Sequence, residues 1–148
     1  MCEKTDTNRL KPGSLIMIKG NPCKVTETTT AKPGKHGSAK AMIVGKDIFT
    51  DKQYEETFHT TEMIPAPIVS RTEYMLCDVT DEGALSLMDN ASGDIREDLD
   101  LPENAKHLSG ICREIKKIYD AQKKECLVTV QKWGDKEQVY SVREGADF

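Results

Sequence analysis

The chain has 148 residues, of which 31% are charged and 37% are apolar. This length allows one ordinary domain or two small ones, and the composition is typical of a soluble globular protein. No apolar run approaches the ~18 residues that a membrane span needs, and residues 1–9 lack the apolar segment of a signal peptide. We therefore expect a cytoplasmic protein that has no membrane partner.

Short strands are predicted throughout the first half of the chain. They follow a polar start, residues 1–9, that we expect to be disordered. The strand patterns lie at 15–18, 23–30, 39–44, 47–50 and 54–58. Gly45-Lys46 is expected to end the third of these strands. Short strands at this spacing are typical of a small antiparallel barrel.

A basic hairpin, Thr28–Lys40, joins the second and third strands and has the sequence T-T-T-A-K-P-G-K-H-G-S-A-K. Pro33-Gly34 is a turn pair, and Gly37 is a second position that tolerates φ > 0. Lys35 and His36 therefore lie between two backbone pivots. Arms of about six residues at roughly 3.3 Å each would project the tip on the order of 20 Å. A lysine held in this way is presented to a partner.

The two halves of the chain differ in net charge, and the half that carries this hairpin is the positive one. Residues 1–68 contain 10 Lys and Arg against 8 Asp and Glu, a net charge of +2, whereas residues 69–148 contain 11 against 17, a net charge of −6. This asymmetry favours a basic face that meets a polyanion. The simpler alternative is a solvated run of charge.

Met63–Ile68 predicts a boundary between two domains, 1–68 and 69–148. Pro65 and Pro67 lack backbone donors and favour extended geometry. The sequence therefore predicts a short, semi-rigid linker at this boundary.

The second half predicts three strands, one helix and two strands. The strands lie at 74–80, 84–88, from 95 onward, 126–130 and 137–142, and the helical pattern covers 102–123. This is the element order of an OB-fold barrel. Asp100, with Glu103 three residues later, resembles a capping box at the helix start. The helix carries an apolar stripe that we expect to plug the barrel, formed by Leu108, Ile111, Ile115, Ile118 and Tyr119.

No set of residues predicts catalysis or metal binding. The five cysteines are odd in number and form no C-x-x-C pair, so we expect reduced thiols, most of them buried. His36, His59 and His107 lack the spacing of a helical metal pair. Gly34-Lys35 is not a phosphate loop, because Thr29 stands where the first glycine is required. We therefore predict no catalytic residue, no metal and no enzymatic activity.

The second half is also a poor candidate for stacking RNA bases. Aromatic residues make up only 5% of the chain, and this half is acidic. RNA contact is therefore expected on the first domain, through phosphates rather than through stacked bases.

Four stretches of the chain indicate a family by resemblance. They are K-P-G-S-L-I-M-I-K-G-N-P-C-K-V (11–25), K-P-G-K-H-G-S-A-K (32–40), V-G-K-D-I-F-T-D-K-Q-Y-E (44–55) and R-E-D-L-D-L-P (96–102). The chain resembles the family of eukaryotic translation initiation factor 5A, the hypusine-containing factor, which has bacterial relatives in elongation factor P. The likeness covers nearly the whole chain. It implies an all-β fold, with an N-terminal SH3-like β-barrel followed by a C-terminal OB-fold barrel with one helix.

The resemblance implies that Lys35 is converted to hypusine, with Gly34, His36 and Gly37 as determinants of modification and loop shape. Deoxyhypusine synthase would transfer an aminobutyl group from spermidine, and deoxyhypusine hydroxylase would add a hydroxyl group. No other cofactor is implied. The modified side chain would contact the acceptor end of peptidyl-tRNA on the ribosome. It would promote peptide-bond formation at stalling sequences such as polyproline, and would support elongation and termination.

Other lysines are predicted to bind RNA around this loop, namely Lys24, Lys32, Lys40 and Lys46. The chain departs from the family pattern at Pro33, where Thr is usual, and at Ser38, where His is usual. Pro33 is compatible with a stiff, presented tip, whereas Ser38 removes a possible donor or stacking ring. The alternative function is an unmodified RNA-binding adaptor built from the same SH3-like and OB barrels.

Overall fold

The computed structural model describes residues 2–6, 10–31 and 39–148. The chain divides into two compact units, Met1–Ile68 (unit 1) and Val69–Phe148 (unit 2). Their described residues form eleven strands and one α-helix. The predicted mainly β fold with a single helix is therefore confirmed.

Unit 1 consists of antiparallel strands around a small apolar core. Its strands are β1 (Cys2–Asp6), β2 (Leu15–Ile18), β3 (Asn21–Ala31), β4 (Lys40–Asp47), β5 (Gln53–His59) and β6 (Met63–Pro67). Strands β2-β3-β4-β5 form a four-stranded sheet in that order, and β1 pairs with β6. The alternating apolar residues of these strands face inward, and the buried set is Ile16, Ile18, Cys23, Val25, Ala41, Ile43, Phe58 and Ile64.

Two predictions at the ends of unit 1 are wrong. Cys2–Asp6, expected to be disordered, forms β1, and most of the expected linker forms β6. The two strands pair in antiparallel register, with Lys4 opposite Pro65 and Cys2 opposite Pro67. Two prolines that are two residues apart remove N–H groups from the same edge of a strand. Strand β6 can therefore still form hydrogen bonds to β1 through its other edge. This pairing is non-local, so neither segment reveals it alone.

Two further predictions, around Gly45, are also wrong. Strand β4 continues through Gly45 and Lys46 to Asp47, and residues 48–50 form a turn rather than a strand. A Cβ at Gly45 would lie 3.0 Å from both Ile18 Cδ1 and the Lys24 carbonyl oxygen, so glycine permits close packing here. Asp47 Oδ1 accepts hydrogen bonds from the backbone N–H groups of Phe49 (2.8 Å) and Thr50 (3.2 Å), which fixes the turn.

Unit 2 is a five-stranded antiparallel sheet with one helix. Its elements are β7 (Ser70–Val79), β8 (Ala84–Asp89), β9 (Ile95–Asp100), α1 (Ser109–Ala121), β10 (Lys124–Trp133) and β11 (Lys136–Asp147). The spatial order is β11-β10-β7-β8-β9, and the helix lies between the third and fourth strands of the unit. The predicted OB-fold order is therefore confirmed.

The helix packs its apolar stripe into the core of unit 2, as predicted. Cys112, Ile115 and Ile118 are buried there. The predicted capping box is wrong, because α1 begins at Ser109 after a 3₁₀ turn at Lys106–Leu108, and Asp100 ends β9. Asp can cap a helix or stand in an exposed edge strand, and the local pattern does not separate these roles.

The described cysteines bear out the expectation of free thiols. Cys23, Cys112 and Cys126 are buried, and Cys77 is exposed. Burial raises the pKa of the Cys23 and Cys126 thiols to about 11. These buried thiols therefore remain protonated at neutral pH.

Arg96 joins the two edge strands of the unit 2 sheet. From β9 its guanidinium donates to both carboxylate oxygens of Glu137 on β11, and it also binds Asp98 at 2.7 and 2.8 Å. Its Nη1 lies 3.3 Å from the Tyr74 hydroxyl on β7. The Arg96 hydrogen bonds lower the pKa of the Glu137 and Asp98 carboxyl groups. Arg96 thus links the strands where the barrel would otherwise remain open.

Replacing Gly45 by Ala tests the close packing in unit 1. The new Cβ contacts the Lys24 carbonyl, which cannot move without disturbing β3, so we expect the free energy of unfolding to fall by about 1–3 kcal/mol. Urea unfolding followed by circular dichroism measures this loss. Gly110→Ala is the control, since the nearest atom to its Cβ is Arg113 Nη2 at 3.9 Å. Equal stability of the two variants would contradict the prediction.

Replacing Glu137 by Gln tests the Arg96 link in unit 2. Because Arg96 lowers the Glu137 pKa, its contribution to stability is complete above about pH 4.3 and is lost as pH falls through the lower folded-state pKa. We expect the variant to be less stable by about 1–2 kcal/mol at pH 7. It should also lose less stability than wild type on acidification.

Urea unfolding monitored by Trp133 fluorescence measures this effect, because the only tryptophan of the chain lies in unit 2. Glu82→Gln, in an exposed turn, is the matched control. The same dependence of stability on pH in Glu137→Gln and wild type would show that the Arg96 link contributes nothing.

Candidate nucleic-acid interface

The basic hairpin is formed by β3 and β4, whose last described pair is Ala31 opposite Lys40. Its tip lies outside the described residues. Five predicted site residues are on that tip, so the structure assigns them no position, and they are Lys32, Gly34, Lys35, His36 and Gly37. The same holds for Pro33 and Ser38. The structure does describe the two arms and the lysines on them.

The outgoing arm of the hairpin is a sheet edge. Strand β2 pairs with β3 only from Asn21 to Lys24, and a register shift follows between Val25 and Glu27. Beyond this shift, β4 is the only described strand that pairs with β3. Residues 26–30 are all exposed. The outgoing arm therefore extends away from the core.

The returning arm, in contrast, is anchored almost to the loop. Strand β4 pairs with β5 from Lys46 to Lys40, which lies opposite His59. One residue further, the Thr60 N–H donates to the Ala39 carbonyl at 3.0 Å. Ala41, on β4, is buried at 6% exposure. The base of the loop is thus tied to the sheet by hydrogen bonds and by packing.

Three of the predicted RNA-binding lysines lie on one face of this sheet. Lys24 and Lys46 are directly opposite each other on β3 and β4, and both are exposed. Lys40 stands six residues before Lys46, about 20 Å along the same strand and on the same face. Residues Ala41 and Ile43 turn to the other face, where the core lies. The fold therefore brings Lys24 and Lys46 together and keeps Lys40 separate, at the loop base.

These lysines have no compensating carboxylate among the described residues. Neither Lys24, Lys40 nor Lys46 forms an ion pair within 4 Å there. Like charges directly opposite in a sheet are unfavourable, so the Lys24–Lys46 pair costs stability in the absence of an anion. Glu27 and Glu55 both lie opposite Val44, between the two basic positions. The face thus presents two cationic points rather than one continuous stripe.

His59 is a further residue of this surface, and the sequence pattern did not connect it with the loop. It lies opposite Lys40 and is exposed, so it stands beside the loop base. Its backbone N–H donates to Glu62 Oε1 at 3.2 Å, which closes the turn after β5. Only the register of β4 with β5 brings it to the site. The strand pattern that ends near His59 is the feature of the sequence that could have indicated its position beside the loop base.

Neither a metal centre nor a membrane span is found in the part of the chain that the structure describes. No three His, Cys, Asp or Glu side chains there are grouped so that they could hold a metal ion. No helix there is long and apolar enough to cross a membrane.

Comparisons with known proteins agree with this architecture. A family model described as translation initiation factor 5A-like, N-terminal, matches residues 3–62. A second model, described as eukaryotic elongation factor 5A hypusine, DNA-binding OB fold, matches residues 68–143. The two matches correspond closely to unit 1 and unit 2.

Individual relatives of this family align with most of the chain. Eukaryotic translation initiation factor 5A of Dictyostelium discoideum is 46% identical over 134 residues, which cover 90% of this chain and 79% of that protein. The protein of that name from Spodoptera exigua is 40% identical over the same shares.

Solved structures show the same fold. A translation initiation factor 5A family protein from Naegleria fowleri superimposes with a TM-score of 0.83 at 37% identity, covering 96% of this chain and 98% of the other. Eukaryotic translation initiation factor 5A from Methanococcus jannaschii, at 24% identity, supports the fold alone, with a TM-score of 0.71 over 96% and 95% of the two chains. Family models, relatives and structures therefore agree that the chain belongs to the eukaryotic translation initiation factor 5A family.

Proposed function

We propose that this translation factor binds the ribosome and uses a hypusine on Lys35 to contact the acceptor end of peptidyl-tRNA. It thereby promotes peptide-bond formation at stalling sequences such as polyproline, and supports elongation and termination. The observation that carries the proposal is the hairpin itself. A loop with the sequence K-P-G-K-H-G-S-A-K follows an exposed arm and returns into a strand that is anchored to the core.

The loop serves first as a substrate. Deoxyhypusine synthase transfers an aminobutyl group from spermidine to Lys35, and deoxyhypusine hydroxylase adds a hydroxyl group. Lysine suits this chemistry because its ammonium is a compact charge on a flexible stem. The added group gives a second amine and a hydroxyl donor without enlarging the loop. Gly34, His36 and Gly37 shape the loop for the two enzymes.

The finished side chain acts by positioning. A misplaced reacting group costs orders of magnitude in rate, so holding the acceptor end in place accelerates a slow peptide transfer. The anchored arm β4 supports this role because it fixes the loop base at Lys40. The chemical step itself takes place in the ribosome, and the factor contributes orientation and charge.

The lysines of the arms supply the sequence-independent part of the contact. Lys24 and Lys46 form one cationic point. Lys40 forms a second at the base of the loop, and Lys32, which follows Ala31 in the sequence, is proposed to add to it. Phosphate contacts of this kind position a protein on RNA without reading its bases. The absence of ion pairs at the three described lysines supports this role.

An unmodified RNA-binding adaptor is the second candidate function. Lys24 and Lys46, which lie opposite each other without an ion-pair partner among the described residues, favour this function, since they could bind phosphate without hypusine. Its affinity would fall steeply with salt, and the loss on mutation would be spread evenly over Lys24, Lys32, Lys40 and Lys46. The mass of the Lys35 peptide from native-source protein separates the two, because only the first candidate requires a hypusine-sized increment.

Replacing Lys35 by Arg tests the modification. The variant keeps the charge but cannot accept the aminobutyl group, so we expect the fold to be retained and translation of polyproline reporters to fall to the level of a depleted extract. Lys52→Arg, on a different loop of unit 1, is the matched control. Full activity of Lys35→Arg in the depleted extract would refute the modification.

Replacing Lys46 by Glu tests the cationic pair on the arms. The new carboxylate lies opposite Lys24, so we expect stability to rise by about 0.2–1 kcal/mol. Ribosome binding should weaken, and the slope of log affinity against log salt should fall by about one or more. Chemical unfolding and ribosome cosedimentation at several salt concentrations measure the two effects. Lys52→Glu controls for net charge, and an equal loss of affinity in both variants would argue against a local contact.

A further inference from the structure

Aromatic and cationic side chains meet at one end of strands β7, β10 and β11 in unit 2. Arg71 lies at the start of β7, opposite Gln131 on β10. Trp133, at the end of β10, is opposite Lys136, at the start of β11. Tyr140 follows on β11 and is 38% exposed. These residues are far apart in the sequence, and the antiparallel register brings them together.

The Arg71 guanidinium is held in a fixed position. Its central carbon lies 4.0 Å from the centroid of the Tyr140 ring, a stacking distance. Its Nε and Nη2 atoms both donate to Gln131 Oε1, at 3.3 and 3.2 Å. Gln131 is only 1% exposed, so the group that orients Arg71 is itself fixed by burial. The sheet thus carries a preorganised pair of planar groups near its surface.

The charge of Arg71 is not neutralised by a carboxylate. Its described partners are an amide oxygen and an aromatic ring, and both are neutral. Of the nearby acids, Glu73 is engaged by Arg143 at 2.8 and 2.9 Å, and Glu137 is engaged by Arg96. Arg71 therefore retains a positive charge that can meet an anionic partner.

Trp133 and Lys136 add a second aromatic and cationic pair on this face of the sheet. Trp133 is two residues after Gln131 on β10, so both side chains point to the same face. The Lys136 ammonium lies 6.0 Å from the centroid of the Trp133 ring. Alternating aromatic and basic side chains are the combination that binds single-stranded nucleic acid, because bases stack while cations follow the phosphates.

The other edge of the sheet, formed by β8 and β9, lacks this combination of aromatic and basic side chains. OB folds commonly bind oligonucleotides on the face of their second and third strands, which are β8 and β9 here. In this chain β9 exposes Glu97, Asp98 and Asp100, and Arg96 on the same strand is already paired with two carboxylates. Phosphates would be repelled there. The β7–β10–β11 end is the better surface for RNA.

We propose that Arg71, Tyr140 and Trp133, flanked by Lys136, form a surface that stacks on one or two unpaired RNA bases. The contact rests on the proposed function only for the class of its partner, RNA, and it does not require the modified loop. It gives unit 2 a role in binding bases, which the low aromatic content of the chain did not predict, in addition to the phosphate contacts of unit 1.

Trp133 itself reports on the proposed contact, because it is the only tryptophan in the chain. The unmodified, full-length protein is titrated with an eight-nucleotide oligoadenylate and, separately, with an RNA duplex. We expect the single strand to quench Trp133 fluorescence and the duplex to have little effect. Tyr140→Leu should weaken single-strand binding on the order of tenfold, whereas Tyr140→Phe should bind within about twofold of wild type.

Arg71→Lys separates stacking from charge, since it keeps the cation and loses the planar group. We expect it to weaken binding severalfold, whereas Arg113→Met, which removes an exposed charge from α1, should have a smaller effect. Circular dichroism verifies the fold of each variant. If Tyr140→Leu fails to fold, the Tyr140→Phe and Arg71→Lys results still decide the proposal.

Three results would overturn the proposal. They are an unchanged Trp133 signal with every RNA, equal affinities of Tyr140→Leu and wild type, and equal binding of duplex and single strand. Because all measurements use unmodified protein, a failure here leaves the Lys35 activity untouched. A failure of Lys35→Arg to lose activity would likewise leave these titrations valid.

Discussion

The base of the basic hairpin depends on the pairing of β4 with β5. The hydrogen bonds continue one residue before β4 begins, since the Ala39 carbonyl accepts a hydrogen bond from the Thr60 N–H. An arm bonded on one side only, like β3 beyond Val25, would fray and allow the loop base to move. Because β4 is bonded on both sides and packed through Ala41, the returning arm of the hairpin has a defined position. The close approach at Gly45 completes this support, since it lets β4 pack tightly onto β2 and β3.

The two units solve the problem of sheet edges in different ways. In unit 1, β6 is paired by β1, and its prolines leave the other edge without two donors, which discourages further strand addition. In unit 2, the edges β9 and β11 are joined by the Arg96 side chain rather than by a backbone ladder. Each arrangement protects the edges of a small barrel that has only a modest core.

Much of the fold follows from local patterns, and the exceptions share a cause. The helix stripe of unit 2 and the order of its helix and strands along the chain were predictable because they depend on periodicity within each segment. The disorder expected at Cys2–Asp6 and the strand break expected at Gly45 were wrong because a partner strand decides both. The choice of Lys35 depends on its neighbours in sequence and on the family resemblance, and it stays a prediction. His59 and the Arg71–Tyr140 pair were missed because only cross-strand register brings their partners together.

The buried cysteines have a consequence for how each unit opens. A thiol with a pKa of about 11 forms little thiolate at neutral pH, and Cys23 has no exposed surface at all. Alkylation of Cys23 therefore requires transient opening of unit 1, and alkylation of Cys126 requires opening of unit 2. The rate at which a small alkylating reagent modifies each cysteine would measure the local opening of each body separately. Each unit thus contains a buried cysteine that can report on its own local unfolding.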